Sequence, residues 1–155
     1  MSYNSKRMIT CMAAAIVLFA VYISRALGNR APASDDLRAW AITILVFIAI
    51  SVAVMIIIMV LFHIVFAAAI AIKEGEGDVE RIVESHTRED ERDKLINLKA
   101  NSIGYGFAGL GFIAALISLI AGSQAIIALH ILAGSFAFGS LIEGGVSVYL
   151  YERGF

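Results

Sequence analysis

Long apolar blocks separated by short polar segments dominate the chain. Asp, Glu, Lys and Arg are absent from residues 39–72 and from residues 102–142, and another apolar block runs from about residue 8 to residue 25. Gly122-Ser123, a turn-forming pair, divides the C-terminal block into two. A helix needs about 20 apolar residues to cross the core of a bilayer. The pattern therefore predicts four transmembrane helices in one domain, residues 1–155, at about residues 8–25, 39–72, 102–121 and 124–149.

The composition supports this prediction of an all-α integral membrane protein. Hydrophobic residues make up 60% of the chain and charged residues 16%, whereas about 25% of the residues in a typical soluble domain are charged. The net charge of −1 gives no basis for direct nucleic-acid binding. The single cysteine, Cys11, excludes an internal disulfide. We therefore expect the lipid bilayer to be the main environment of the chain, with no cofactor bound.

Lysine and arginine are distributed unevenly between the two sides of the predicted bundle. Four spans place both termini on one side, and most of the 12 basic residues lie there. That side carries Lys6, Arg7, Lys73, Arg81, Arg88, Arg92, Lys94, Lys99 and Arg153. The other side carries Arg25, Arg30 and Arg38. The positive-inside rule then predicts that both termini face the cytoplasm.

Residues 73–101 form the one extended polar segment, and we predict that they fold as a cytosolic helical hairpin. Val79, Ile82, Val83 and His86 recur at the spacing of an amphipathic helix. A second helix is predicted to begin near Arg88 and to continue into the third span. Thr87 and Asp90 resemble a capping box at its start.

The function of this segment has three interpretations. A solvated hairpin that only extends spans two and three is one of them. A docking surface is another, because the apolar stripe is too narrow to bury itself. Its candidate partner-binding residues are Glu80, Glu84, Glu89, Glu91, Arg92 and Leu95. A metal site is the third, since carboxylates bind hard cations. Its candidate ligands are Glu76, Glu80, Glu84 and His86.

Small residues recur along the last two spans. Residues 104–109 match the GxGxxG pattern by letter, but no strand precedes them, so we do not expect a dinucleotide site. In a membrane, small residues allow helices to approach closely. We therefore predict that spans three and four pack as an antiparallel hairpin, or form a dimer contact, through these glycines. The predicted packing residues are Gly104, Gly111, Gly134, Gly139 and Gly144.

Three ionisable residues, His63, His130 and Glu143, lie inside the predicted spans. Such residues mark functional sites by default, because burying a charge in lipid is costly. His63, Glu143 and Cys11 are predicted to lie at similar depth, near the cytoplasmic side. We expect Glu143 to lie in the bundle interior, within hydrogen-bond reach of His63 or Cys11. A purely structural role, a proton-coupled transport site and a Cys/His/Glu metal site all stay open.

A short charged box precedes the third span. Asp90-Glu91-Arg92 is followed by Leu95-Ile96 and by Lys99, and Tyr151-Glu152-Arg153-Gly154 ends the chain. These motifs resemble a domain-of-unknown-function family of small multi-pass membrane proteins of bacteria and archaea. That family carries a DER-x-x-LI-x-x-K box and a Tyr-Arg-Arg-Gly ending, which here has Glu152 in place of an arginine. It is similar to the membrane partners of LytTR-type regulators. The resemblance implies a membrane-bound regulator in a prokaryotic cytoplasmic membrane.

These features predict a regulatory protein or membrane anchor. We expect it to bind or restrain a cytosolic partner, such as a transcription regulator, through residues 78–100. One alternative is a small oligomeric transporter or channel that uses Glu143 and His63. Another is a structural subunit of a larger membrane complex. No arrangement of a nucleophile and a base is apparent, so we predict no enzyme activity and no catalytic residues.

Overall fold

The structure, a computed structural model, describes residues 3–29, 31–74 and 90–153. This part of the chain is all helical: α1 spans Tyr3–Leu27, α2 Leu37–Glu74, α3 Glu91–Ile120 and α4 Ala125–Arg153. All four helices are long and apolar enough to cross a membrane. The prediction of an all-α protein with four such helices is therefore confirmed. The first helix of the predicted hairpin lies outside the described residues.

The four helices are longer than the predicted spans because charged residues at their ends are also helical. α2 begins after Asp36, whose carboxylate accepts a hydrogen bond of 2.9 Å from the backbone N–H of Ala39. Close to this start, the indole N–H of Trp40 donates to the carbonyl oxygen of Ala33 at 3.1 Å. The side chains next to the start of α2 thus fasten the loop between α1 and α2.

The start of α3 differs from the sequence prediction. Asp90 has extended backbone angles (φ −87°, ψ 176°) and is the N-cap of the helix. Its carboxylate accepts from the N–H of Asp93 at 2.7 Å, and the Asp93 carboxylate accepts from the N–H of Asp90 at 3.4 Å. Asp90 therefore caps the helix instead of lying in its first turn. The predicted start near Arg88 was wrong, because Asp90 and Asp93 form the capping box and α3 begins at Glu91.

A tight turn joins α3 to α4. Gly122 has a φ of 82°, a left-handed conformation that glycine adopts without steric cost. The N–H of Ala121 donates to the carbonyl of Ile117 at 2.9 Å, and the N–H of Ser123 donates to that of Ser118 at 3.0 Å. These bonds satisfy carbonyls at the end of α3. They direct the chain back antiparallel to α3.

α4 is the central helix, because it contacts each of the other three. Its most extensive contact is with α3, and the second is with α1. The buried residues of α3 lie three or four positions apart, so they occupy one face of the helix. They are Ile96, Ala100, Gly104, Ala108, Gly111 and Ala115. Five of these six are Gly or Ala, which brings the backbones of α3 and α4 close together.

Two contacts define the closest approach of α3 and α4. A Cβ placed on Gly139 would lie 2.7 Å from the carbonyl oxygen of Gly104. A Cβ placed on Gly111 would lie 2.0 Å from the Cβ of Ser135. Any larger side chain at either glycine would separate the helices. The predicted packing residues Gly104, Gly111 and Gly139 therefore all lie at this interface.

Contrary to the prediction, Gly134 and Gly144 do not pack against α3. A Cβ on Gly134 would meet no atom within 4 Å, and one on Gly144 would lie 2.5 Å from Cγ of Met12 on α1. Each glycine is five residues from Gly139, a rotation of about 140° around the helix axis. Ser135 is four residues from Gly139 and shares its face. Ser135 therefore takes the place expected for Gly134, and Gly144 packs against α1.

Candidate functional site

A small cavity lies between α1, α2 and α4, toward the end of the bundle where α1 begins. Its volume is about 70 Å³. It is lined by Met8, Cys11, Met12, Ala15, Met55, Ser140, Glu143 and Gly144. The lining residues of α1 have the spacing i, i+3, i+4, i+7, and those of α4 the spacing i, i+3, i+4. Both sets therefore lie on single helix faces directed at the same space.

Glu143 lies at the edge of this cavity and against α3. A Cβ placed on Gly104 would be 3.2 Å from Oε2 of Glu143. The glycine at position 104 thus leaves room for the carboxyl group between α3 and α4. Glu143 and Cys11 line the same cavity, as the depth argument led us to expect. Among residues 3–29, 31–74 and 90–153, neither a hydrogen-bond donor nor a cation contacts the Glu143 carboxyl.

His63 lies apart from this cavity. A hydrogen bond of 2.8 Å joins its Nδ1 to the hydroxyl oxygen of Tyr3, at the start of α1. The Tyr3 ring also packs against Phe62 and Phe66, with centroid distances of 5.4 and 4.3 Å. His63 therefore fastens the beginning of α1 to α2. Its partner in the described structure is Tyr3 and not Glu143.

The described structure does not bring together the three residue types of the Cys/His/Glu alternative. Within the described ranges, no three His, Cys, Asp or Glu side chains come together as a set of metal ligands. Cys11 and Glu143 share the cavity, but His63 faces Tyr3 and His130 lies toward the opposite end of the bundle. The other metal alternative, on Glu76, Glu80, Glu84 and His86, falls outside the described residues.

We expect Tyr3→Phe to lower the free energy of unfolding by about 0.5–1.5 kcal/mol, because it removes one part-buried hydrogen bond and keeps the ring packing. Thermal unfolding in detergent would measure the change. Tyr105→Phe is the matched control, since that side chain is 69% exposed. Equal stability of the two variants would contradict a structural role for the bond between Tyr3 and His63.

His130 belongs to an aromatic cluster at the other end of the bundle. Its ring centroid lies 4.5 Å from that of Trp40 and 6.2 Å from that of Tyr22. Its Nδ1–H donates to the carbonyl oxygen of Ile126 at 2.8 Å. This hydrogen bond fixes the orientation of the His130 ring against Trp40. His130 therefore joins α4 to the start of α2 and takes no part in the cavity near Glu143.

An apolar crevice of about 490 Å³ continues from the small cavity between α1, α2 and α4. Ala15, Met55 and Ser140 line both spaces, so the two are adjoining. The crevice reaches Tyr22, whose hydroxyl oxygen is buried without a hydrogen-bond partner in the described structure. Its size falls in the range of about 300–1,000 Å³ that is typical of ligand pockets.

Three of the predicted partner-binding residues lie at the end of the bundle where α1 begins. Glu91, Arg92 and Leu95 are exposed in the first turns of α3. The side-chain amide of Asn4 donates to Oδ1 of Asp93 at 3.0 Å and fastens the start of α1 to this part of α3. The remaining candidates, Glu80, Glu84 and Glu89, lie outside the described residues.

No family model matches the chain, and neither a curated protein nor a solved structure is significantly similar to it. The resemblance to the DER-x-x-LI-x-x-K family thus stays a prediction.

Several residues with a structural or chemical role were absent from the sequence-based candidates. Tyr3 and Asn4 precede the predicted first span, so nothing marked them as contacts of α2 and α3. Two of the methionines that line the cavity could have been found from their spacing in the sequence. Met8, Cys11 and Met12 have the spacing i, i+3, i+4 and therefore share one helix face. Met55 had no such signal, because it joins this group only through the packing of α2.

Proposed function

We propose that the protein is a membrane anchor that binds and restrains a cytosolic protein through the end of the bundle where α1 begins. We place it in a prokaryotic cytoplasmic membrane as a multi-pass protein, with both termini in the cytoplasm. The partner class that fits best is a basic protein, such as the DNA-binding domain of a transcription regulator.

The observation that carries this proposal is that α2 extends beyond its contact with α1. The contacts of Tyr3 with His63 and Phe66 mark the beginning of α1, but α2 continues from Phe66 to Glu74, about 12 Å of further helix. This extension carries apolar side chains, and Ile72 near its end is 86% exposed. An exposed apolar surface at the end of a bundle is typical of a protein interaction site.

α3 presents further apolar side chains at the same end. Leu95 and Leu98 are 51% and 67% exposed, whereas Ile96 between them is fully buried. The charge-free part of α3, residues 102–120, is about 28 Å long, which nearly equals the bilayer core. With residues 102–120 placed across the core, Leu95 lies about 10 Å outside it. A leucine exposed there favours a protein partner over lipid tails.

The charged residues near this end indicate which class of partner it binds. Glu80, Glu84, Glu89 and Glu91 form an acidic group next to these leucines in the sequence. An acidic surface favours the encounter with a basic partner. It also resembles the phosphate face that a DNA-binding domain recognises, so binding would keep such a domain from DNA. The nine-to-three distribution of Lys and Arg supports a cytoplasmic location of this end.

A pull-down from native membranes tests the proposal. We expect the wild type to retain a cytosolic protein at moderate salt, and charge reversal of Glu84, Glu89 and Glu91 to lysine to release it. The melting temperature of the bundle should change little, because Glu91 is exposed and a charge change in the first turn of a helix alters its stability by at most about 1 kcal/mol. Asp35→Lys is the control for charge reversal, since Asp35 is exposed in the loop between α1 and α2.

The result that contradicts the proposal is a triple variant that retains every cytosolic protein bound by the wild type. A partner that is released equally by Asp35→Lys would also count against it, because charge reversal at the opposite end should have no effect.

A small transporter is the second candidate function. The apolar crevice and the adjoining cavity with Glu143 favour it, since an unpaired carboxyl group in a span is typical of proton or substrate pathways. His63 would have no direct part in such a pathway, because its Nδ1 is hydrogen-bonded to Tyr3 and it does not line the cavity. Failure of the pull-down would place this function first.

A further inference from the structure

Sulfur atoms are concentrated around the small cavity. The chain contains five methionines and one cysteine. Three of the methionines, Met8, Met12 and Met55, line the cavity together with Cys11. Four of the six sulfur-containing residues of the whole chain therefore surround a space of about 70 Å³.

The sulfur residues come from two separate helices. Met8, Cys11 and Met12 project from one face of α1, and Met55 reaches the same space from α2. Gly144 of α4 leaves room for Met12, because a Cβ at that position would lie 2.9 Å from its Sδ atom. The space exceeds the roughly 10–15 Å³ that a single water occupies. It therefore has room for one ion beside these side chains.

The donor set selects a particular class of ion. Thiolate and thioether ligands bind soft cations such as Cu(I), whereas Mg²⁺ and Ca²⁺ prefer oxygen. Structural zinc sites take most of their four ligands from Cys and His, and this cavity holds one cysteine and no histidine. A monovalent cation with one thiolate is neutral, which lowers the cost of placing it in a span.

We propose that Cys11, Met8, Met12 and Met55 form a binding site for one soft monovalent cation, Cu(I). Binding releases the thiol proton of Cys11 to the solvent, since the thiolate is the form that ligates metals. The ion then links α1 to α2 through sulfur. This site is independent of the partner-binding surface, so each can be tested without the other.

Titration of the purified protein with Ag(I), a redox-stable analogue of Cu(I), tests the proposal. The protein is kept in a detergent micelle without thiol reductants or chloride, and the bound metal is counted by mass spectrometry. We expect one ion per chain and a higher melting temperature, because the ion binds the folded state and joins two helices. X-ray absorption of the Cu(I) form should show sulfur ligands.

Matched methionine variants distinguish a built site from chance binding to sulfur. Met55→Leu should weaken Ag(I) binding about tenfold, which corresponds to about 1.4 kcal/mol. Met59→Leu, one turn further along α2 and outside the cavity, should bind as the wild type does. Cys11→Ser should abolish the melting shift. Exchange of Met for Leu nearly conserves volume, so both methionine variants should stay folded.

Three results would overturn the proposal. The first is Ag(I) binding that is equally strong in Cys11→Ser and wild type. The second is an equal loss of affinity for Ag(I) in the Met55→Leu and Met59→Leu variants. The third is a melting shift with Mg²⁺ or Zn²⁺ as large as that with Ag(I).

Discussion

Gly111→Leu is expected to lower the free energy of unfolding by about 3 kcal/mol, because the new side chain has no room between α3 and α4. Even its Cβ would lie 2.0 Å from the Cβ of Ser135, an atom that cannot move without its backbone. Helices in lipid associate through close backbone contact more than through a hydrophobic driving force. The loss should therefore appear as a lower melting temperature in detergent and as weaker association of α3 with α4.

Gly109→Leu is the matched control for this variant. Gly109 lies on the same helix, but a Cβ at that position would meet no atom within 4 Å. Both substitutions raise helix propensity by the same amount and add the same apolar side chain. A Gly109→Leu variant as unstable as Gly111→Leu would show that close packing at Ser135 is not what holds the hairpin together.

Ile96→Ala is expected to lower the free energy of unfolding by about 2–5 kcal/mol, the range for truncation of a fully buried aliphatic side chain. Ile96 is among the largest side chains that the structure buries completely, and it precedes the apolar part of α3. Its removal leaves a cavity that rigid neighbouring helices fill only in part. Denaturant or thermal unfolding in detergent would measure the loss.

Leu98→Ala removes a side chain of similar size two residues away and should change the stability by less than about 0.5 kcal/mol, because Leu98 is exposed. On the proposed function the same variant weakens binding of the cytosolic partner. Loss of partner binding by Leu98→Ala at wild-type stability would separate the docking surface from the core. Equal destabilisation by both variants would contradict the assignment of Ile96 to the core.

The helices themselves followed from the sequence. Transfer of a helix into lipid depends on the summed hydrophobicity of about 20 neighbouring residues, which is a local property. The charge-free blocks therefore located α2, and the break at Gly122-Ser123 located the turn that a glycine with positive φ forms. The spacing of small residues also placed Gly104 and Gly111 on one face of α3, since seven residues make about two helical turns.

The contacts between helices came only from the tertiary structure. Which face of a helix meets which neighbour depends on its rotation and its register, and in lipid all faces are similarly apolar. Hydropathy therefore could not assign Gly144 to α1, pair His63 with Tyr3 or bring Met55 to Cys11. Nor could it choose Ile96 for the core over Leu95 and Leu98. The local sequence determined four apolar helices, and close packing between them decided which side chains share a site.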